Sequence, residues 1–328
     1  MSTPLMTRIL LATDFSDAAA CAQDYARYLA RAWNATVELV HVIETPQWLG
    51  ADAEALAVVG QARAAAALQL EGVRDDLVGG GIPVKVRLVL GNPTEQICQA
   101  VRESGVDLVV LGVQGRNNLA YGLLGSTAER VAHEGPCPVL LVPAIREAAA
   151  QPVGEGGAGR VRRILAPLDF SRLSLDAVEY ATHLAFGLGS TLTLMHVLEP
   201  VCYDLDCGLG LIEEEASKRD YWNRQLTELR EILTASGLSV DLEISSGLAS
   251  DAILASALRS KADLIVMGTH GHRGPSRERF GSMADAVLRR ATCPVLTVSA
   301  FKPSSGLHRV VPQTMGAVGM GGTEPRHL

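Results

Sequence analysis

RILLATDFS, from Arg8 to Ser16, returns as RILAPLDFS, from Arg163 to Ser171, and this repetition decides the fold. TVELVHVIE (Thr36 to Glu44) returns as TLTLMHVLE (Thr191 to Glu199). DLVVLGVQG (Asp107 to Gly115) returns as DLIVMGTHG (Asp263 to Gly271), and GPCPVLLV (Gly135 to Val142) as ATCPVLTV (Ala291 to Val298). The early blocks lie 155 residues apart, Arg8 against Arg163, and the later ones 156, Asp107 against Asp263. Four blocks in one order at a near-constant offset mark a tandem duplication. A period of that length is a whole domain, not a solenoid unit.

Within the first copy, Ile9 to Thr13, Val37 to Val42, Val84 to Leu90, Leu108 to Leu111 and Val139 to Val142 are short aliphatic runs. Such runs suit strands buried on both faces of a parallel sheet. The segments between them have helical spacing. In the second copy Ala177, Tyr180, Ala181, Leu184, Ala185 and Leu188 fall on one apolar helix face. The Ala-rich segment from Ala51 to Gly81 reads as a covering helix, with a mobile flap as the alternative. Alternating strands and helices predict a layered α/β domain, here written twice, each with five strands. The first domain is expected over residues 1–143, a linker over 144–160, the second domain over 161–300, and a disordered tail over 301–328. The alternative for the tail is a peptide docked on a neighbour.

The 328 residues are too many for one ordinary domain and suit two. Apolar residues make up 48% and charged residues 20%, which excludes disorder as the main state. A net charge of −7 disfavours nucleic-acid binding by general electrostatics. No apolar run has the length of a membrane span, and Asp14 interrupts the N-terminal apolar stretch before a signal-peptide core could be completed. Six scattered cysteines do not form a disulfide framework, so a reducing, cytoplasmic setting is expected.

Open parallel sheets bind ligands beyond the carboxyl ends of their strands. Three features fall there in both copies. Asp14 and Asp169 close the first strand, His41-Val42 and His196-Val197 close the second, and a Gly-rich loop follows the fourth. That loop reads Gly112-x2-Gly115-x9-Gly125-Ser126 and Gly268-x2-Gly271-x9-Gly281-Ser282. Glycines permit close backbone approach, and a helix N-terminus with a hydroxyl is a ready anion site. The residues alone leave a second reading open, in which the glycines shape a connection and Ser126 and Ser282 are plain N-caps. Neither loop is a Walker A motif, and the dinucleotide spacing GxGxxG is missing after the first strand.

The loop spacing, the first strand ending in Asp-Phe-Ser and the last strand Cys-Pro-Val-Leu together resemble the universal stress protein family, over roughly residues 5–143 and 161–300. The resemblance is to the ATP-binding branch, in tandem form. It implies Rossmann-like domains of the adenine nucleotide alpha hydrolase-like type. It further implies that Asp14 and Asp169 hold the nucleoside, that Val42 and Val197 line the adenine pocket, and that Gly112, Gly115, Gly268 and Gly271 follow ribose and phosphates. Gly125-Ser126 and Gly281-Ser282 would grip the phosphate chain of ATP, ADP or AMP, with Mg²⁺.

The second copy carries His272, Arg273, Arg277 and Arg279 in its loop, against a single charge in the first copy's Arg116 to Leu124. Charge-assisted contacts are the stronger ones, so the second copy is expected to be the tighter site and the first a weaker site or a structural partner. His41 and His196 read as structural hydrogen bonders, Cys137 and Cys293 as small core thiols, and Cys202-x4-Cys207 as free thiols in a surface loop, with a metal site or a redox disulfide as the alternative. No activated nucleophile is legible. The expected function is a nucleotide-binding stress sensor or regulator with an unknown protein partner. The alternatives are a slow ATPase or a nucleotide-free interaction module. The resemblance also implies that the last strand of each copy is a sheet edge, which tends to be paired, so Val139–Val142 and Val295–Val298 are expected to pair within the chain as a pseudo-dimer; a homodimer of chains is left open.

Overall fold

The first copy folds as β1 (Arg8–Ala12), α1 (Asp17–Trp33), β2 (Thr36–Ile43), α2 (Ala53–Gly79), β3 (Val84–Leu90), α3 (Pro93–Ser104), β4 (Leu108–Gly112), α4 (Ser126–Glu134) and β5 (Val139–Val142). The second repeats this order as β6 (Arg163–Pro167), α5 (Arg172–Leu188), β7 (Thr191–Leu198), α6 (Gly210–Ala235), β8 (Val240–Ser246), α7 (Ala249–Ser260), β9 (Leu264–Gly268), α8 (Ser282–Arg290) and β10 (Val295–Val298). The structure is a computed structural model, and it describes residues 4–44, 53–113, 124–144, 161–199, 210–269, 282–299 and 309–312. The linker reading falls almost wholly outside these residues, as do Cys202 and Cys207.

Local chemistry sets the element ends. Ser16 caps α1 by accepting from the Ala19 N–H, and Asn34 ends the helix in the left-handed region. Asn92 caps α3 ahead of Pro93 in its first turn, and Gly105 closes it at φ 60°. The Ala-rich segment is a long helix, α2, packed over β2 and β3, which makes it a cover and not a flap.

The strands order as β3-β2-β1-β4-β5-β10-β9-β6-β7-β8 in one ten-stranded sheet. Within each half all pairings are parallel; β5 and β10 pair antiparallel, with Leu296 opposite Leu140 and Val295 opposite Leu141. Both sheet faces are covered, as aliphatic strands require. Along β1, Ile9 and Leu11 enter the core under α1 and α2, while Leu10 and Ala12 enter the core under α3 and α4. Each of these cores runs through both copies, α5 and α6 continuing the first layer and α7 and α8 the second.

Side chains reinforce the strand junction. Thr297 Oγ1 donates to Val139 O at 3.3 Å, and Arg289 in α8 reaches Glu129 in α4 at 3.1 Å. Trp33 lies against Gly187, where a Cβ would come within 2.4 Å of its ring, so α1 and α5 meet through a glycine.

The tail expected to be disordered is partly built into the fold. Val311 is buried, and residues 309–312 lie along α5, whose Asp176 and Glu179 are buried beneath them. Two buried carboxylates need partners, and this segment supplies them. The rest of 301–328 lies outside the described residues.

Candidate functional site

In each half the strand order reverses between two neighbours, β1 and β4 in the first and β6 and β9 in the second. At such a switch point the connections leave in opposite directions and open a crevice beyond the carboxyl ends. The register fills that edge. Ala12 pairs with Val40, which puts Asp14 level with Val42; Leu11 pairs with Val110, which puts Gly112 level with Thr13. The second copy matches, with Pro167 opposite Met195 and hence Asp169 level with Val197, beside Gly268.

Asp14 and Asp169 do not close the first strand; each lies two residues beyond it, in a turn. Asp14 Oδ1 accepts from the Ser16 N–H at 3.1 Å and from Ser16 Oγ at 2.6 Å. Asp169 Oδ1 accepts from the Ser171 N–H at 2.9 Å. Between them Phe15 and Phe170 sit at φ 64° and 62°, a left-handed conformation uncommon for an aromatic residue. Strain of this kind persists where the surroundings fix it, and the histidines contribute. His41 Nδ1 lies 2.7 Å from Thr13 O, His196 Nδ1 lies 2.9 Å from Leu168 O, and each ring packs on the phenylalanine. Strand alternation sends these rings into the core beneath α1 and α5 and turns Val42 and Val197 to the opposite face.

Gly112 and Gly268 have a reason that the loop motif does not reveal. A Cβ on Gly112 would stand 2.7 Å from the backbone carbon of Ala18, and one on Gly268 would stand 3.0 Å from that of Leu173. The missing side chain lets the first turn of α1 or α5 settle on the strand end, which fixes the turn bearing the aspartate. At α4, Gly125 is the N-cap and Ser126 is the first helical residue, so the reading of Ser126 as an N-cap is corrected. Gly125 has no side chain to satisfy the first-turn N–H groups, and Ser126 is exposed beside them. Such a terminus suits an anion. Ser282 likewise opens α8; Gly115, Gly271, Gly281 and the loop arginines lie outside the described residues.

Gly91 and Gly247 escaped the sequence reading. They follow β3 and β8 at φ 134° and 124°, and their N–H groups donate to Ile43 O and Leu198 O, so they bound the same edge. The signal was available: both follow the third strand of their copy, 156 residues apart.

The copies differ behind the aspartate turn. In the second, Trp222 from α6 stacks on Phe170 at 4.9 Å between ring centroids and lies 4.5 Å from His196. Phe170 and His196 are buried, whereas Phe15 and His41 are half-buried. Burial holds the His196 imidazole below its ordinary value of 6.5, against the weaker opposing pull of the Leu168 carbonyl and the Asp169 charge. The unfolded imidazole then takes up a proton as pH falls through 6.5 while the folded one resists, so this contribution is intact above 6.5 and lost below it. Urea midpoints are expected to fall from pH 7.5 to 5.5, and less steeply in His196→Asn, whose amide keeps the donor to Leu168. Parallel slopes would assign the pH dependence elsewhere. Cys137 is a core thiol as expected and Cys293 is partly buried against the same core, and burial pushes both to about 12.

The fold is that of a tandem, doubly wound α/β protein with one strand-order reversal in each half. The model of the universal stress protein family matches residues 6–143 and again 160–299, and the chain belongs to that family. Universal stress protein A homolog 1 of Coxiella burnetii is 35% identical over 146 residues, covering 42% of this chain and 95% of its own length. A universal stress protein of Methanocaldococcus jannaschii is 27% identical over 170 residues, covering 50% of this chain and 97% of its own. The solved structure of a universal stress protein from Archaeoglobus fulgidus shares the fold over 89% of this chain and 97% of that one, with a TM-score of 0.68 at 24% identity.

Proposed function

We propose that the chain binds adenine nucleotide, ATP foremost, at the carboxyl edge of each half, and that it acts as a cytoplasmic stress sensor or regulator. The observation that carries this reading is the pairing, at one strand-order reversal, of an aspartate turn with a helix N-terminus whose cap has no side chain. In the first copy Asp14 would hold the nucleoside, Val42 would line the base pocket, and Gly112, Gly115 and Gly125-Ser126 would follow the ribose and phosphates. In the second, Asp169, Val197, Gly268, Gly271 and Gly281-Ser282 take these roles. Accompanying Mg²⁺ would be held chiefly by the phosphates. Bound nucleotide contributes charge at the carboxyl edge of the sheet, and through it biases the contact with a protein partner.

The second copy is the tighter site in this reading. Its loop carries the arginines, and the Trp222 stack holds its aspartate turn in place before ligand arrives, which lowers the cost of binding. Calorimetric titration of nucleotide-stripped protein with MgATP tests it, with two sites per chain of unequal affinity expected. No heat at millimolar ATP would leave an interaction module, and turnover well above one per minute would make the chain an ATPase.

A further inference from the structure

Asp176, Glu179 and His183 fall at i, i+3 and i+7 of α5, a polar stripe beside the apolar face that packs on the sheet. Such a stripe normally faces water. Here Asp176 is 3% exposed and Glu179 0%. Arg309 Nη1 donates to Asp176 Oδ1 at 2.8 Å. The Val310 N–H donates to both Glu179 carboxylate oxygens, at 2.9 and 3.1 Å, and the Val311 N–H donates to Oε2 at 2.7 Å. His183 Nε2 lies 3.0 Å from Glu179 Oε1, so the acid is held from its own helix and from the segment. Val310 and Val311 pack on the core that α5 shares with the sheet.

Each contact selects. The guanidinium is matched to an acid, two consecutive main-chain N–H groups are matched to one carboxylate, and the valines are matched to an apolar floor. Pro312 follows and offers no further N–H. The arrangement is not inherited from the duplication. At the matching positions the first copy has Cys21, Asp24 and Tyr28, and Asp24 is paired within its own helix to Arg27 at 2.7 Å.

We infer that this stripe of α5 is a receptor for a bent Arg-aliphatic-aliphatic segment, whose two consecutive N–H groups turn to one side, occupied in cis by Arg309–Val311 as a displaceable intrachain ligand. A tethered segment acts at an effective concentration on the order of millimolar. The free sequence in trans therefore binds only where the tail has been disabled. The clamp also bears on the helix whose first turn rests on Gly268, although its test needs no nucleotide.

The probe is a fluorescein-labelled peptide of residues Leu307 to Gln313, titrated by anisotropy against two full-length chains. One is unaltered, and the other carries Arg309→Ala with Val310→Pro, changes confined to the segment. The altered chain is expected to bind the peptide at least tenfold more tightly, and adding Glu179→Gln to reverse most of that gain. A peptide with alanine for the arginine and an N-methyl group at the first valine leaves the protein unchanged, and it should bind at least tenfold more weakly. Equal binding to both chains, no binding to the altered chain, or equal binding of both peptides overturns the assignment. On the unaltered chain, hydrogen exchange gives an independent reading: the Val310 and Val311 amides are expected to be protected at least tenfold over the free peptide. Unprotected amides there would also overturn it.

Discussion

Leu296→Asp is expected to destabilise the chain by about 4 kcal/mol or more, a large share of the 5–15 kcal/mol that holds a typical domain. Leu296 is 1% exposed and stands opposite Leu140, also 1% exposed, where β10 meets β5. Both belong to the core that runs beneath α1 and α5. An ionised carboxylate placed there would have neither water nor a partner, and protonating it would still leave a buried polar group in an apolar site. Leu296→Ala removes only packing, and about 2–5 kcal/mol is expected. Urea denaturation should show one shifted transition in both variants, because the shared core couples the halves. A double-mutant cycle with Leu140→Ala should give a coupling of about 0.5–3 kcal/mol. A second transition at the unaltered midpoint, with only one half displaced, would show that the sheet junction does not unite the copies.

Much of this fold was legible because the duplication supplied its own control. A run that reads as a strand in both copies carries more weight than one read once, and the runs from Ile9 to Thr13 and from Leu108 to Leu111 lie within a residue of β1 and β4. Strand order was less accessible, since period and propensity say what an element is and not which neighbour it takes. The pairing of β5 with β10 was expected only through the family resemblance, which makes each last strand a sheet edge in need of cover. The Arg309 clamp was out of reach for a different reason. Asp176 and Glu179 look like the solvated side of an amphipathic helix, and their partners lie more than 130 positions downstream in a segment of low apolar content. At the site, residue types pointed to the aspartates and glycines. The backbone facts that give them meaning, a left-handed Phe170 and a helix turn resting on Gly268, follow from tertiary packing.

That distinction decides which substitution tests the nucleotide site. Replacing Asp169 by alanine removes the charge and also the oxygen that accepts from the Ser171 N–H, so a turn already holding Phe170 at φ 62° would loosen. Loss of such a hydrogen bond costs about 1 kcal/mol, and weaker binding could then be blamed on the fold. Asp169→Asn keeps the acceptor and removes only the charge. A carboxylate accepting from nucleoside hydroxyls makes charge-assisted bonds worth about 1.5–3 kcal/mol, and the neutral amide retains only part of that. At about 1.4 kcal/mol per decade, ATP affinity at the second site is expected to fall about tenfold, with the melting temperature nearly unchanged. Asp14→Asn should weaken the first site in the same sense. In a stripped protein titrated to saturation, the two variants therefore separate the two sites, each displacing one binding phase and leaving the other. Unchanged affinity in both would remove the aspartates from the nucleoside role, and the turn they build would then serve only to seat α1 and α5 on the sheet.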